Sequence, residues 1–414
     1  MGNDRETIRE LVKEYAEYAA LPQQQINKSN WMALNGLKPK KPMVMIDQLP
    51  WHELNLDDEL TLQCEDQFLQ SVETSLRQII YKWKHMPADM VLDNFVRIPK
   101  AYSNGGYGVS ISDQTLTLDE NNKSALSHSY EDRISSEDML AEFQTPAITH
   151  DAAESRRRKE LCGDIFGDIL PPYLTGHVAY SHVWDVITTF RGVTPIYVDL
   201  AERPEFVMKT INRFVEMHMQ ALDQYEQEGL LEANDLIHCT GAYTDELPAT
   251  DRTPEDDQKK LGAGECWTFS AAQVFASVSP DMHMEFDIDQ MRPVFERFGL
   301  VYYGCCEALD KKIDKIKTIP NVRKISISPW ADPVNAAGQL RGDYVLSRKP
   351  TPAVLAEHTL DESRVVKEIQ ETLKTCRENG TPCEFILKDV STVKYKPQNL
   401  FRWETLVRDS IESS

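Results

Sequence analysis

From residue 173 onward, helical patterns alternate with short apolar runs, and this alternation constrains the fold more than any other feature of the chain. Helical spacing occupies 177–191, 204–228, 285–299 and 362–379. Apolar runs lie at 195–198, 236–239, 267–269, 300–304, 324–327 and 384–387. Strands separated by helices pair in parallel, because the helix carries the chain back to the starting edge of the sheet. Upstream, Met43–Ile46 and 90–92 flank a long helical pattern over 64–86 and bring the candidate strands to eight, and 342–346 offers a ninth. Eight parallel strands close a (β/α)8 TIM barrel, a fold that reaches this length when it carries insertions.

Two segments stand outside the alternation. Residues 4–20 carry Ile8, Leu11, Val12, Tyr15 and Ala19 on one helical face, which predicts a helical extension over 1–36. Residues 104–160 open with Asn104-Gly105-Gly106, include a strand-like 115–118, and run through polar sequence to Arg156-Arg157-Arg158. This reads as an inserted excursion with a hairpin, the arginines starting a solvated helix. The whole of 1–414 is expected to be one barrel domain.

Hydrophobic residues make up 41% of the 414, enough for a sizeable core, and the formal net charge is −21. Such a balance excludes the basic surface that a phosphate backbone requires and disfavours anionic membranes. No apolar run approaches the ~20 residues needed to span a bilayer. Asp4, Arg5, Glu6 and Arg9 interrupt any signal-peptide core, and the eight cysteines lack disulfide-framework spacing. A cytoplasmic protein with reduced thiols is the expectation.

In a barrel, chemistry sits at the C-terminal ends of the strands. That rule selects Asp47 with Gln48, Asp93, 238–246, Ser270, Gln273, 305–307, 328–332 and 388–392. Tyr303-Gly304-Cys305-Cys306-Glu307 stands out, with two thiols and a carboxylate where a strand gives way to a loop. Strand alternation puts Tyr303 and Cys305 on one face and Cys306 on the other, unless a bend brings both sulfurs together. Thiolates beside a carboxylate suit zinc, whereas two buried structural cysteines fit the same residues. His238 either reaches the barrel interior or is a hydrogen-bonded core residue. Tyr243, Asp245 and Glu246 form a catalytic-end loop or a solvated one. Trp267 and Trp330 offer an apolar wall for a substrate ring or are core aromatics. His177, His182 and Trp184 are expected on a helix packed against the barrel, and His283 at an exposed helix start.

These features resemble the uroporphyrinogen decarboxylase superfamily, which includes the haem-pathway decarboxylase and zinc-dependent methyltransferases that work with corrinoid proteins. The resemblance rests on Lys41-Pro42-Met43-Val44-Met45, Arg191-Gly192, Ser279-Pro280-Asp281, Tyr303 to Glu307, and Lys388-Asp389-Val390-Ser391-Thr392. With Ser328-Pro329-Trp330 it is nearest to a branch labelled only as decarboxylase-like. The decarboxylase's arginine-rich stretch after its first strand is replaced here by Met45-Ile46-Asp47-Gln48-Leu49-Pro50-Trp51, and Asp93 falls at the place of its essential aspartate. Asp47 is acidic where an eight-carboxylate tetrapyrrole would demand cations. In the methyltransferases a His-x-Cys pair ends the corresponding strand. Here Tyr303-Gly304-Cys305 takes that place, keeping the cysteine and losing the histidine. Cys383 starts the last strand, about 15–20 Å from its other end, too far to be a ligand.

The resemblance implies a methyltransferase moving a methyl group between a small methylated donor and a corrinoid carried by a partner protein. It implies zinc on Cys305, Cys306 and Glu307, catalytic roles for Glu246, Lys388 and Asp389, and substrate contacts from Asp47, Asp93, His238, Tyr243, Trp267, Tyr303 and Trp330. Decarboxylation of a tetrapyrrole or smaller carboxylate is the alternative enzyme. A non-catalytic barrel binding a corrinoid or a partner is the third reading.

Overall fold

The computed structural model describes residues 2–117, 126–233, 235–247, 257 and 259–414. Among the described residues, eight extended segments form the barrel wall: β1 (Met43–Ile46), β2 (Val96–Pro99), β3 (Pro172–Thr175), β4 (Trp267–Ser270), β5 (Leu300–Tyr303), β6 (Val322–Ile327), β7 (Val345–Arg348) and β8 (Cys383–Leu387). Six of them make one curled parallel sheet in the order β1-β8-β7-β6-β5-β4, and β2 pairs in parallel with β3. Two links join this pair to the sheet edges. Beyond β3, Tyr180 bridges Phe269 of β4 in parallel, and the Asp89 amide, just before β2, donates to the Val44 carbonyl of β1 at 3.0 Å. The result is a TIM-barrel-like α/β fold whose wall is loosest between β1 and β2.

Eight segments are present, but not the eight expected. Residues 195–198 are helical, within Val193–Glu202. Gly192, at φ 75°, separates this helix from the preceding one; Pro195 fits a first turn, and Ile196 and Leu200, four apart, are buried together. Residues 90–92 are not a strand; the second wall segment forms further along, at β2. Residues 236–239 are not a wall strand either. Leu236–Ile237 pairs antiparallel with Thr240–Gly241 as a minimal hairpin. The missing members are β3, which sequence reasoning passed over, and β7, which the run at 342–346 foreshadowed.

The helices at Gly2–Ala19, Gln67–His85, Pro204–Gln227 and Glu362–Asn379 follow their apolar periodicity closely. Helix Val183–Arg191 starts later than expected, leaving His177 and His182 in the segment before it. In the 104–160 stretch, Asp113–Thr117 pairs with Leu126–Tyr130; residue 118 of the expected strand lies outside the described residues. Arg157 and Arg158 sit in helix Ala152–Phe166 and pair with Glu154 one turn back.

The hairpin at 236–241 occupies the barrel interior. Lys324 of β6 reaches the Gly241 carbonyl at 2.9 Å, Thr240 Oγ1 at 3.0 Å and Glu384 of β8 at 2.7 Å. A Cβ on Gly241 would lie 2.4 Å from Trp31, so the N-terminal extension closes this end of the barrel against bare backbone.

Candidate active site

The opposite, C-terminal end gathers side chains from three wall segments and the hairpin. The chain leaves β5 through Gly304, whose φ of 95° suits a residue without Cβ. That bend cancels the alternation expected for an extended strand. Cys305 turns into the interior apolar cluster with Tyr302, whereas Tyr303 faces the outer helices. The two sulfurs then lie 3.4 Å apart.

Three side chains touch this pair, and a fourth touches one of the three. His238 Nε2 is 3.3 Å from Cys305 Sγ, and Lys388 Nζ, just past β8, is 3.2 Å from the same sulfur. Cys306 Sγ also lies 3.4 Å from Asp389 Oδ2, and Lys388 bridges back to that carboxylate at 2.9 Å. Gln48, following β1, approaches Lys388 at 3.5 Å. His238 lies flat on Phe269, ring centroids 3.6 Å apart, and its backbone amide donates to the Tyr180 hydroxyl.

Several of these residues hold uncommon backbone conformations: His238 and Cys239 form the two-residue hairpin turn at φ 41° and 70°, with Gln48 at 51° and Asp389 at 56°. Such a turn favours Asn-Gly, so a histidine and a cysteine there store local strain that the surroundings must hold. Clusters of this kind mark functional sites more often than packing sites.

Charge flows toward Cys305. The hydrogen bond from Cys306 and then the Lys388 charge hold its thiol below the ordinary range, against burial. Cys306, as the donor, is pushed well above it by the same bond and by burial. Burial, then Lys388 and Lys349, pulls His238 down to about 2, so its ring is neutral. Burial opposes the charge on Lys388, yet Cys305 and Asp389 lift it above the usual lysine range. The arrangement sets a thiol of lowered pKa against an ammonium, with a second thiol as hydrogen-bond donor.

The remaining expected site residues are distributed. Asp47 lies at the same mouth, half-buried, its Oδ1 accepting from the Gln48 amide. Glu307 folds back onto the Cys305 amide at 2.9 Å; burial raises its carboxyl, and its electrostatic neighbours are His283 and Asp185. Tyr303 donates to Asp287 and meets His283, which is buried rather than exposed and also contacts Lys312. Trp267 is buried, 5.9 Å from Lys324, and Trp330 is 81% exposed. Glu246 clasps Arg323 with both oxygens at the far end, beside the start of β6. Asp93 and Tyr243 line a separate lateral cavity. Phe269, Tyr302 and Lys349 complete the interior behind Cys305 and were not singled out for it; only their place on or just past strand ends marks them.

The donor set His238, Cys305, Cys306 and Asp389 has the soft and borderline chemistry zinc accepts. As arranged it does not fit. Among the described residues no three His, Cys, Asp or Glu side chains converge as a metal site. The contacts run in a line, and Lys388 already places a cation between Cys305 and Asp389.

No known family matches the chain, and no curated protein matches its sequence. Solved structures do. A methyltransferase from Methanosarcina mazei superposes with a TM-score of 0.51, covering 94% of this chain and 98% of that one at 9% identity. The two share a fold. At that identity the likeness speaks to architecture, and the chemistry must be argued from the residues. No helix among the described residues is long and apolar enough to cross a membrane.

Proposed function

We propose that this chain is a methyltransferase-like enzyme in which Cys305 is the reacting sulfur, serving a small methylated donor and a corrinoid carried by a partner protein. The observation that carries this reading is the Lys388 ammonium 3.2 Å from Cys305 Sγ, with the Cys306 thiol donating from the other side. Soft thiolates attack methyl carbon in line, and a thiolate is the nucleophile where the thiol is not. In the step proposed, a Cys305 sulfur lone pair forms the S–CH3 bond while the methyl's bond to the small donor breaks, its electron pair leaving with the donor. The methyl then passes to the cobalt(I) of the corrinoid substrate, whose electron pair forms the methyl–cobalt bond as the sulfur regains its own, and methylcobalamin runs this second half in reverse. Lys388 loses its charge partner as the thioether forms and falls back on Asp389. His238, stacked on Phe269, fixes the sulfur's position without competing for a proton. The shared architecture with a protein named a methyltransferase supports the reaction class.

Methylcobalamin, incubated anaerobically with the protein, should transfer one methyl to the peptide bearing Cys305 and release cob(I)alamin, with Cys305→Ser inert. Full alkylation of Cys305 by iodoacetamide but no transfer from methylcobalamin would leave the thiolate in place and remove the corrinoid. Zinc, which these donors do not fit as they now lie, is the competing outcome. Close to one equivalent of zinc after purification without chelators, lost in Cys305→Ser, would establish it and require Lys388 to withdraw.

A further inference from the structure

A cavity of about 360 Å3 lies beside the loosest part of the wall, where residues 90–95 run between β1 and β2 without joining the sheet. Its volume is in the range that holds small ligands, ~300–1,000 Å3. Leu76, Ile79, Met90 and Val178 give it an apolar body, and its polar end is built from Asp93, Arg97, Asp235 and Tyr243. Arg97 Nε and Nη2 bond Asp93 Oδ2 at 3.1 and 2.7 Å, and Nη2 also bonds Asp235 Oδ2.

That pairing uses only one oxygen of each aspartate. Asp93 Oδ1, Asp235 Oδ1, the Tyr243 hydroxyl and Arg97 Nη1 have no hydrogen-bond partner among the described residues, and none is among the fully occluded unpaired atoms. The Asp235 side chain is only 10% accessible, so the surface it keeps faces the cavity. Asp93 and Asp235 share one guanidinium, and each keeps a carboxylate oxygen that Arg97 does not use. Glu232 and Lys82 in the lining, and Lys28 at 5.9 Å from the Tyr243 ring beside Asp235, bring the formal charges of this end close to balance, so the preference rests on the two unused carboxylate oxygens. An anion entering here would meet the two free carboxylate oxygens, whereas a protonated amine would satisfy both.

We propose that this cavity binds a small organic cation, a protonated amine seated between Asp93 and Asp235 with an apolar body extending toward Leu76 and Ile79. The cavity shares no residue with the Cys305 cluster, so this inference stands apart from the methyl-transfer reading.

The test uses the full chain and two probes of equal length and opposite charge, hexylammonium chloride and sodium hexanoate. Hexylammonium should raise Tm saturably and give a binding isotherm by calorimetry, and hexanoate should give neither. Asp235→Asn should weaken hexylammonium binding about tenfold or more, as loss of a charged hydrogen bond would. Ile79→Trp, which fills the apolar end from a half-buried position, should abolish it. Should Asp235→Asn fail to fold, Asp93→Asn tests the same charge. Absence of saturable hexylammonium binding, equal binding of hexanoate, or undiminished binding by Ile79→Trp would each overturn the proposal.

Discussion

A thiol of ordinary pKa, ~8.5, is mostly protonated at pH 7, so what Cys305 can do depends on the groups that hold its charge. Lys388→Met removes the ammonium and leaves the Cys306 donor in place. The Cys305 pKa should rise, and alkylation by iodoacetamide at pH 7 should slow about tenfold, the effect of one pKa unit. An unchanged pH–rate profile would show that Lys388 does not tune the sulfur. Cys306→Ser keeps a hydroxyl donor and should slow the reaction less than Cys306→Ala. Gly304 sets the geometry on which this depends. A Cβ there would lie 2.3 Å from Leu309 Cδ1, and φ 95° is unfavourable for any L side chain. Gly304→Ala should therefore destabilise the chain by about 1–3 kcal/mol in urea titrations. Adding Leu309→Ala should not restore stability, because the backbone strain remains and a second buried contact is lost. A Gly304→Ala variant with wild-type stability and thiol reactivity would remove the bend from the argument.

At the scale of elements, the barrel interior depends on a hairpin that touches β6 and β8 through one buried ion pair. Lys324 and Glu384 are both fully buried, and Thr240 adds a 2.8 Å hydrogen bond to the same carboxylate oxygen. Lys324→Met leaves Glu384 charged in a dry interior and should cost about 3–5 kcal/mol. The pair Lys324→Met with Glu384→Gln should recover a large part of that loss, and a double-mutant cycle showing no coupling would contradict the picture. This interior also shows what sequence can and cannot announce. Strands β1, β4, β5, β6 and β8 were legible because each is a short apolar run between helices, buried on both faces. Residues 195–198 carry equally apolar sequence, yet the glycine at 192 and the spacing of Ile196 and Leu200 fit a helix; run composition alone does not separate the two. The hairpin could not be read from its turn, since His238-Cys239 is not a turn dipeptide. Cys305, Lys388 and Asp389 were found by the strand-end rule, and they meet at one mouth with His238. Alternation puts Tyr303 on the face of Cys305, and Gly304 breaks it; a glycine directly before the cysteine pair is the visible signal.

Across the whole molecule, acid stability follows from where its histidines sit. Burial pulls His177 and His218 down to about 4 and His238 to about 2, while an unfolded histidine titrates near ~6.5. Their folded values are depressed, so the unfolded chain binds protons that the native chain refuses. The stability they contribute is fully present above about pH 6.5 and is lost as pH falls from there toward 4. An opposing effect acts at the acid end of that window. The formal charge of −21 repels itself at neutral pH, and protonating surface carboxylates relieves that repulsion. The two are separable, because carboxylates titrate mainly below pH 5 whereas these histidine sites respond as soon as the unfolded chain begins to protonate. Urea midpoints should therefore fall between pH 7 and 5, before carboxylate titration matters. His218→Phe removes one proton-linked site, and although it forfeits the 3.2 Å contact with Ser181, it should flatten the slope over that interval. A midpoint independent of pH between 7 and 5, or an unaltered slope in His218→Phe, would mean that these rings are protonated in the folded protein.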